Sequence, residues 1–354
     1  MSTVLDTTPE VPGPGHPGGP DRRGPAPSRL LGDLLRSREI AVLLVLLLLV
    51  LVATVRSDGF LRGDSFRDLL LTPSILLLLA AGQTLVVITR NVDLSVGSIL
   101  GLSAYCAGDL MAQGSSPVVA VPAAIGLGAL LGAVNGVVIA FGRVPALVIT
   151  LGTMLAFRGL LLRWVGSDRV DAAEMSPGFL DLGTARILSI PVLTIIALVV
   201  VVAVGYYLRT ARSGRELYAV GSDPDAAALY GLPIRRRVLG AFIASGALAG
   251  LAGVLWAARY GGVSSNAGEG IELQAIAAAV IGGVAIFGGS GTVWGAAVGA
   301  FLLVTIDRAL PILGVPSFYQ QAVVGALIVG AITLDRVLTS RAQRRAVASR
   351  EDQS

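Results

Sequence analysis

Long uncharged runs of apolar residues alternate with short polar segments along most of the chain. A helix of about 20 apolar residues crosses the hydrocarbon core of a bilayer. Runs near this length, divided at glycine, proline and charged residues, predict spans at 40–56, 69–89, 94–112, 117–141, 145–164, 189–208, 239–258, 272–287, 292–309 and 320–336. The pattern therefore predicts an all-α integral membrane protein of about ten transmembrane helices, with short or broken glycine-rich helices in the eighth and ninth spans.

The composition supports a membrane protein. Of the 354 residues, 54% are hydrophobic and 14% are charged, and the mean hydropathy is +0.78. A typical globular chain carries roughly 25% charged residues. We therefore expect lipid to be the solvent for much of this chain, as in a multi-pass protein of the cell membrane.

The two ends of the chain differ from its apolar middle. Residues 1–28 are rich in proline and glycine, a composition that cannot bury a core and predicts disorder. Residues 339–354 form a second polar, basic tail. The transmembrane domain is predicted over 29–338, and one long polar loop, 209–238, interrupts it.

The arginines predict the orientation. They cluster before the first span, after the last span and on both sides of the loop 209–238. Because basic residues are retained on the cytoplasmic face, both termini and this loop are predicted to be cytoplasmic. The loop 165–188 then lies outside. It is acidic, and it fits either a solvated connection or a docking surface for an extracytoplasmic partner.

Missing residue types exclude several functions. All 27 basic residues are arginine, and a P-loop needs a lysine on the phosphates, so any ATP must be bound by a partner subunit. The only histidine, His16, lies in the N-terminal tail, and the only cysteine, Cys106, lies in an apolar span. Metal clusters and histidine-activated nucleophiles are therefore not expected, and neither is a cofactor. The arginines also lack the interleaved aromatic residues of a nucleic-acid surface.

A few polar residues lie within or at the mouths of predicted spans, where their cost makes them candidates for a solute path. These are Asp93 and Ser95 at the third span, Asn135 in the fourth, and Glu272 and Gln274 at the start of the eighth. Asp93 also suits the N-cap of the third helix, with helix from Leu94 onward, and this is the interpretation we favour. These residues form no ionisable chain across the membrane, which argues against a proton-driven carrier.

Glycines divide into two patterns. Pairs four residues apart, such as Gly128 with Gly132 and Gly246 with Gly250, predict close helix packing. The cluster that includes Gly288 and Gly289 instead predicts a helix break near 287–292. Such a break is tolerated where protein or a watery cavity satisfies the backbone, so either a gate in the solute path or a tight cytoplasmic turn fits.

The loop 209–238 carries all the signals of one short helix. Asp223 suits the N-cap, Pro224 the first turn and Asp225 the positive helix end, and Gly231 ends the helix. A helix of about two turns is not stable alone. We therefore expect it to dock, either on a cytoplasmic partner or on its own bundle.

Three blocks in order resemble the permease subunits of ribose-type ABC sugar importers. They are RNVDLSVGS at 90–98, RVPALVITLGTMLAFRG at 143–159, and the pair formed by 210–232 and 272–289. The resemblance covers about residues 60–335. It implies that the short loop helix is the coupling helix that docks on a separate ABC ATPase. The residues assigned to this coupling surface are Gly214, Arg215, Tyr218, Gly221, Asp223, Asp225, Ala226, Ala227, Tyr230 and Gly231.

The same resemblance implies the partners and the cargo. Two permease subunits, this chain with a second copy or a paralogue, would enclose the path, and an extracytoplasmic binding protein would deliver the solute. Arg90 and Asn91 replace glycines that many members have, which is similar to rhamnose-like and autoinducer-2-like systems. The expected cargo is a pentose or a deoxyhexose such as rhamnose. The alternatives are an autoinducer-2-like or other small polar solute or, with less support, an ion-coupled secondary transporter or a membrane enzyme.

Overall fold

The computed structural model describes residues 38–166 and 169–316, and positions 319, 322, 323, 325–327, 329, 330 and 333. The helices are α1 (Arg38–Arg56), α2 (Gly63–Leu71), α3 (Pro73–Ile88), α4 (Val96–Ala112), α5 (Pro117–Gly142), α6 (Ala146–Val165), α7 (Pro177–Thr184), α8 (Val192–Thr210), α9 (Arg212–Ser222), α10 (Pro224–Leu229), α11 (Ile234–Tyr260), α12 (Ile271–Ile281) and α13 (Val293–Ile312), with a 3-10 turn at Ala172–Glu174. Short strands pair as β1 (Val170–Asp171) with β4 (Gly262–Val263) and as β2 (Arg186–Ile187) with β3 (Ile190–Pro191), both antiparallel.

Seven helical segments of the described chain are long and apolar enough to cross a membrane. They are Glu39–Arg56, Gly63–Ile88, Pro117–Gly142, Ala146–Val165, Val192–Thr210, Ile234–Tyr260 and Val293–Ile312. They coincide with the first, second, fourth to seventh and ninth predicted spans. The third predicted span forms the apolar helix α4, which has 17 residues.

The eighth predicted span is shorter than the sequence indicated. It was placed at 272–287, but the helix covers only Ile271–Ile281, or about 16 Å at 1.5 Å per residue, because Gly282 and Gly283 end it in a turn. The tenth span, 320–336, lies mostly outside the described residues, as do the tails 1–28 and 339–354. The total of ten transmembrane helices therefore stays a prediction.

Helix α11 separates the two ends of the molecule. Its 27 residues span about 40 Å. Its first residue, Ile234, follows the polar loop, and its last, Tyr260, leads into β4, which pairs with β1. The end that carries residues 209–238 is called the loop end below. The opposite end, covered by residues 170–191, is called the cap end.

Helix α3 forms the centre of the bundle. All of its residues are buried, and it packs against α8, α11, α12 and α13. Helix α1 is its opposite, because apolar side chains such as Leu48 and Val55 are exposed at 60% and 80%. A bundle with a buried central helix and apolar outer surfaces is the arrangement expected when lipid surrounds it.

Helices α5 and α11 pack along the predicted glycine seam. A Cβ atom on Gly132 would clash with the carbonyl oxygen of Phe242, and one on Gly246 would clash with that of Gly128. The backbones therefore approach more closely than any larger side chain allows. This confirms the packing interpretation of the glycine spacing.

The segment at the cap end is folded. Met175 and Phe179 are buried beneath it, and Gly183 of α7 lies directly against the backbone of Ala258. The Glu174 carboxylate accepts a hydrogen bond from the Asp171 backbone N–H at 2.8 Å. This segment is thus a small ordered cap, and its acidic side chains at 171, 174 and 181 are exposed.

Candidate translocation path and coupling surface

Three of the predicted path residues meet in one buried cluster. The Asp93 carboxylate accepts hydrogen bonds from the backbone N–H and the hydroxyl of Ser95, at 3.0 and 2.6 Å. The Asn135 side chain, from α5, donates to the same hydroxyl at 2.7 Å. Gln83 of α3 donates to the backbone carbonyl of Asp93, and Ser245 of α11 lies beside the carboxylate. All five side chains are buried.

This polar cluster has unused hydrogen-bonding capacity. Within the described residues, one side-chain oxygen of each of Gln83 and Asn135 is buried without a hydrogen-bond partner, and the second Asp93 oxygen and the Ser245 hydroxyl have only each other nearby. A buried polar atom without a partner costs about 1–3 kcal/mol. Two such atoms beside a buried carboxylate indicate a site with a role beyond helix packing.

Asp93 does not occupy the predicted helix cap. The first intrahelical bond of α4 runs from Ile99 N–H to the Ser95 carbonyl, so the helix begins at Val96 and Ser95 is its N-cap residue. The prediction that Asp93 is the N-cap residue is therefore wrong, and the N-cap lies two positions further along the chain. The Asp93 side chain instead closes the turn that precedes α4.

The other two predicted path residues lie on α12. The Glu272 carboxylate lies against Gly97, where an added Cβ would clash with it, and Gly97 is two residues from the buried Ser95. Gln274 lines a cavity of about 560 Å³ that also includes Thr72 and Arg259. The residues near 272 thus lie between this cavity and the buried cluster.

Gly288 and Gly289 lie at the loop end. Both have positive φ, 81° and 74°, which glycine adopts without steric cost. The Gly289 N–H donates to the carbonyl oxygen of Ile88, the last residue of α3, at 2.9 Å, and a Cβ on Gly289 would clash with Ser222. The predicted helix break is confirmed, and its position against α9 fits the tight turn.

Arg90 connects this turn to the polar loop. Its guanidinium donates to the backbone carbonyl oxygens of Gly221 and Ser222, at 2.6 and 2.5 Å. Tyr218 donates its hydroxyl proton to the carbonyl of Gly291 at 2.9 Å. Three segments, 88–90, 218–222 and 288–291, are thereby fastened together. We call this contact the joint.

The predicted loop helix is confirmed as α10. The Asp223 carboxylate accepts from the backbone N–H groups of Asp225 and Ala226, both at 3.0 Å. Gly231 has a φ of 72°, and its N–H bonds the carbonyl of Ala228, so the helix ends where the sequence indicated. A second helix, α9, precedes it, and the sequence interpretation missed that helix.

Glu216 fastens α9 to the bundle. Its carboxylate pairs with Arg237 of α11 at 2.6 Å and with Arg212 at 2.9 Å. The hydrogen bond from Arg237 lowers the pKa of Glu216 below its ordinary value, and Arg212 adds to this effect. Glu216 therefore stays ionised and is paired within its own chain.

The residues assigned to the coupling surface divide into two sets. Gly214, Gly221 and Ala227 are buried in their own chain, and Tyr218 and Ala226 are partly buried. The exposed members are Arg215, Asp223, Asp225, Tyr230 and Gly231. Leu229, which the sequence analysis did not single out, is 89% exposed, and Tyr230 is 86% exposed. Two large apolar side chains on a polar loop mark an interaction surface.

A buried α3, a polar cluster at the base of α4 and an exposed helix pair at one end together define a membrane translocation subunit. The chain belongs to the family described as "Branched-chain amino acid transport system / permease component", whose model matches residues 65–332. The predicted resemblance to importer permeases is thereby confirmed. The protein is a membrane permease of the ABC importer class.

Curated relatives give the same class. The chain is 36% identical to the autoinducer 2 import system permease protein LsrC of Enterobacter sp. (strain 638), over 90% of this chain and 93% of that protein. The proteins of the same name from Klebsiella pneumoniae and Salmonella typhi are 35% and 33% identical, over 90% and 89% of this chain and 92% and 90% of theirs. No solved structure matched this chain.

Proposed function

We propose that this chain forms the membrane path of an ABC importer for a small sugar-like solute of the autoinducer-2 type. The observation that carries the proposal is the similarity to autoinducer-2 import permeases over 90% of the chain. Of the cargoes expected from the sequence, these relatives favour the autoinducer-2-like alternative over rhamnose. Arg90 and Asn91, which stand where other family members have glycines, agree with this subgroup.

Energy would come from a separate ATPase subunit that docks on α10. The support is the pair of exposed side chains, Leu229 and Tyr230, on a capped helix that is too short to fold alone. Movement of α10 would reach the joint through Ser222, because the Arg90 guanidinium donates a hydrogen bond to the Ser222 carbonyl oxygen. From Arg90 the chain runs directly to Asp93, so the joint links ATPase docking to the buried cluster.

The buried cluster around Asp93 would be the closed part of the solute path. Its oxygens without partners could accept hydrogen bonds from solute hydroxyl groups or from water when the path opens. A second permease, either a copy or a paralogue, would complete the path, and a binding protein would dock on the folded acidic cap.

The proposal is tested by uptake of autoinducer 2 into cells that carry the complete importer. We expect uptake that requires this chain and the partner ATPase, and much weaker uptake of rhamnose. Uptake that persists without the ATPase, or rhamnose uptake that exceeds autoinducer-2 uptake, would contradict the proposal.

The docking site is tested with Leu229→Asp. A charge in the centre of an apolar contact costs several kcal/mol, so the ATPase should no longer co-purify with the permease and uptake should fall to background. Leu188→Asp is the matched control for ATPase binding and should keep the ATPase, because Leu188 is 93% exposed but lies at the cap end. Normal ATPase binding by Leu229→Asp would refute docking at α10.

A further inference from the structure

A cavity of the described chain lies apart from the residues of the proposed coupling route. It has a volume of about 560 Å³ and lies at the cap end, between the start of α3, the end of α11, the start of α12 and α13. Thr72 directly precedes α3, and Arg259 is the last residue but one of α11. The cavity is therefore separated from the joint by the length of α3, about 24 Å.

The walls of the cavity combine aromatic, charged and amide groups. Trp256 and Tyr260 lie with ring centroids 4.5 Å apart, and Arg259 sits over the Tyr260 ring at 5.0 Å. Arg259 also donates to the Thr72 hydroxyl at 3.0 Å, which fixes its position. Gln274, from α12, also lines the cavity.

Two carboxylates complete the lining, Glu269 on the loop before α12 and Asp307 on α13. The cavity thus presents hydrogen-bond donors from Arg259, acceptors from the carboxylates, and both from the Gln274 amide. A small molecule that carries several hydroxyl groups needs such a mixture. Its C–H faces pack on aromatic rings, which Trp256 and Tyr260 supply.

The cavity is adjacent to the buried polar cluster. Glu272 stands between Ile271 and Leu273, which both line the cavity, and its carboxylate reaches Gly97 at the base of α4. Ser95 of the cluster is two residues away. Glu272 therefore connects the cavity wall to the start of α4, two positions from Ser95.

We propose that this cavity is the entry site where the permease receives its solute, and that it recognises a small neutral polyhydroxylated molecule. The proposal rests on the proposed import function and adds a named site to it. Arg259, Asp307 and Glu269 bind the hydroxyl groups, Gln274 orients the solute towards Glu272, and the Trp256 and Tyr260 rings exclude water from its apolar face.

The test places a single thiol in the cavity. Gln274→Cys is made together with Cys106→Ala, which removes the one native cysteine, and the complete importer is expressed with its ATPase and binding protein. Leu273→Cys, 55% exposed in the same cavity, is the second position, and Leu61→Cys, 39% exposed in the loop after α1, is the control. Intact cells receive a membrane-impermeant methanethiosulfonate reagent, with and without autoinducer 2 or L-leucine.

We expect the reagent to modify both cavity thiols from outside. Modification should reduce autoinducer-2 uptake by about tenfold or more, because the adduct fills a site that encloses most of its ligand. Autoinducer 2 should slow modification at 273 and 274 but not at 61, and L-leucine should have no effect.

The cavity assignment is overturned if both thiols escape modification, if modified protein transports normally, or if autoinducer 2 slows all three sites equally. Protection by L-leucine alone would overturn the proposed chemical class. Failure of the import function itself is recognised separately, because the unmodified wild-type chain would then show no ATPase-dependent uptake of autoinducer 2.

Discussion

At the scale of single residues, Arg90 makes contacts that its neighbours in the sequence do not predict. From the sequence, the resemblance to importer permeases predicts only that Arg90 marks the cargo class. In the fold its guanidinium grips the backbone of Gly221 and Ser222, while its own backbone adopts a φ of 64°. A non-glycine residue in that region is uncommon and marks a position held by its surroundings.

The joint predicts the behaviour of Arg90→Gln. Hydrogen bonds from a charged donor are worth about 1.5–3 kcal/mol, so their loss should loosen α9 from α3. Uptake should fall by about tenfold at unchanged protein level, while ATP hydrolysis by the assembled importer falls less. Arg90→Lys, which keeps the charge and one donor, should recover part of the uptake.

Arg143→Gln is the control for this prediction. Arg143 is exposed, lies at the same end and also has a positive φ, 56°. It should transport normally. Equal losses of uptake and ATP hydrolysis in Arg90→Gln would argue against a role in transmission.

At the scale of helices, close backbone contact between α5 and α11 stabilises the bundle. Both helices are long, yet neither has an extended polar face that could drive their association. The glycines at 128, 132, 246 and 250 allow contact that no larger residue permits, which maximises dispersion between backbones in a lipid environment.

Gly132→Leu should therefore destabilise the protein. The new side chain would overlap the backbone of Phe242 and Gly246, and overpacking costs about 1–3 kcal/mol or more. A lower unfolding temperature in detergent is the expected measurement. Gly126→Leu, on the same helix, has open space around its Cβ and should leave that temperature unchanged. Equal effects of the two changes would indicate that helix propensity, not the seam, is responsible.

At the scale of the whole molecule, the two ends carry different structural features. The loop end holds the joint, α10 and the start of α1, since Thr292 donates to the Glu39 carboxylate at 2.6 Å. The cap end holds the folded acidic segment and the cavity. Which end faces the cytoplasm is predicted by the arginines alone.

The predicted orientation is tested by thiol accessibility at the loop end. Tyr230→Cys, in a Cys106→Ala background, should react with an impermeant maleimide only after the cells are permeabilised, because the loop 209–238 is expected to be cytoplasmic. Reaction in intact cells would reverse the assignment of the two ends. It would also remove the basis for ATPase docking at α10.

Several parts of the fold could be predicted from local sequence because they depend on local physics. The spans follow from the length of apolar runs, and α10 follows from Asp223, Pro224 and Gly231, whose side-chain and backbone preferences act within a few residues. The eighth span was overestimated. Its apolar residues continue beyond Gly282, but backbone bonds at the two glycines end the helix early.

Sequence by itself determined that the chain belongs in lipid, approximately where its long apolar helices lie, and that it has no lysine for a P-loop. Tertiary structure alone decided that Asp93, Ser95 and Asn135 share one site, that Arg90 grips the loop before α10, and that Gln274 faces a cavity with Arg259. The physical reason is the separation along the chain over which each interaction acts. Hydrophobicity and capping act between neighbours along the chain, whereas these contacts join residues tens to more than a hundred positions apart, and only the packing of the helices brings them together.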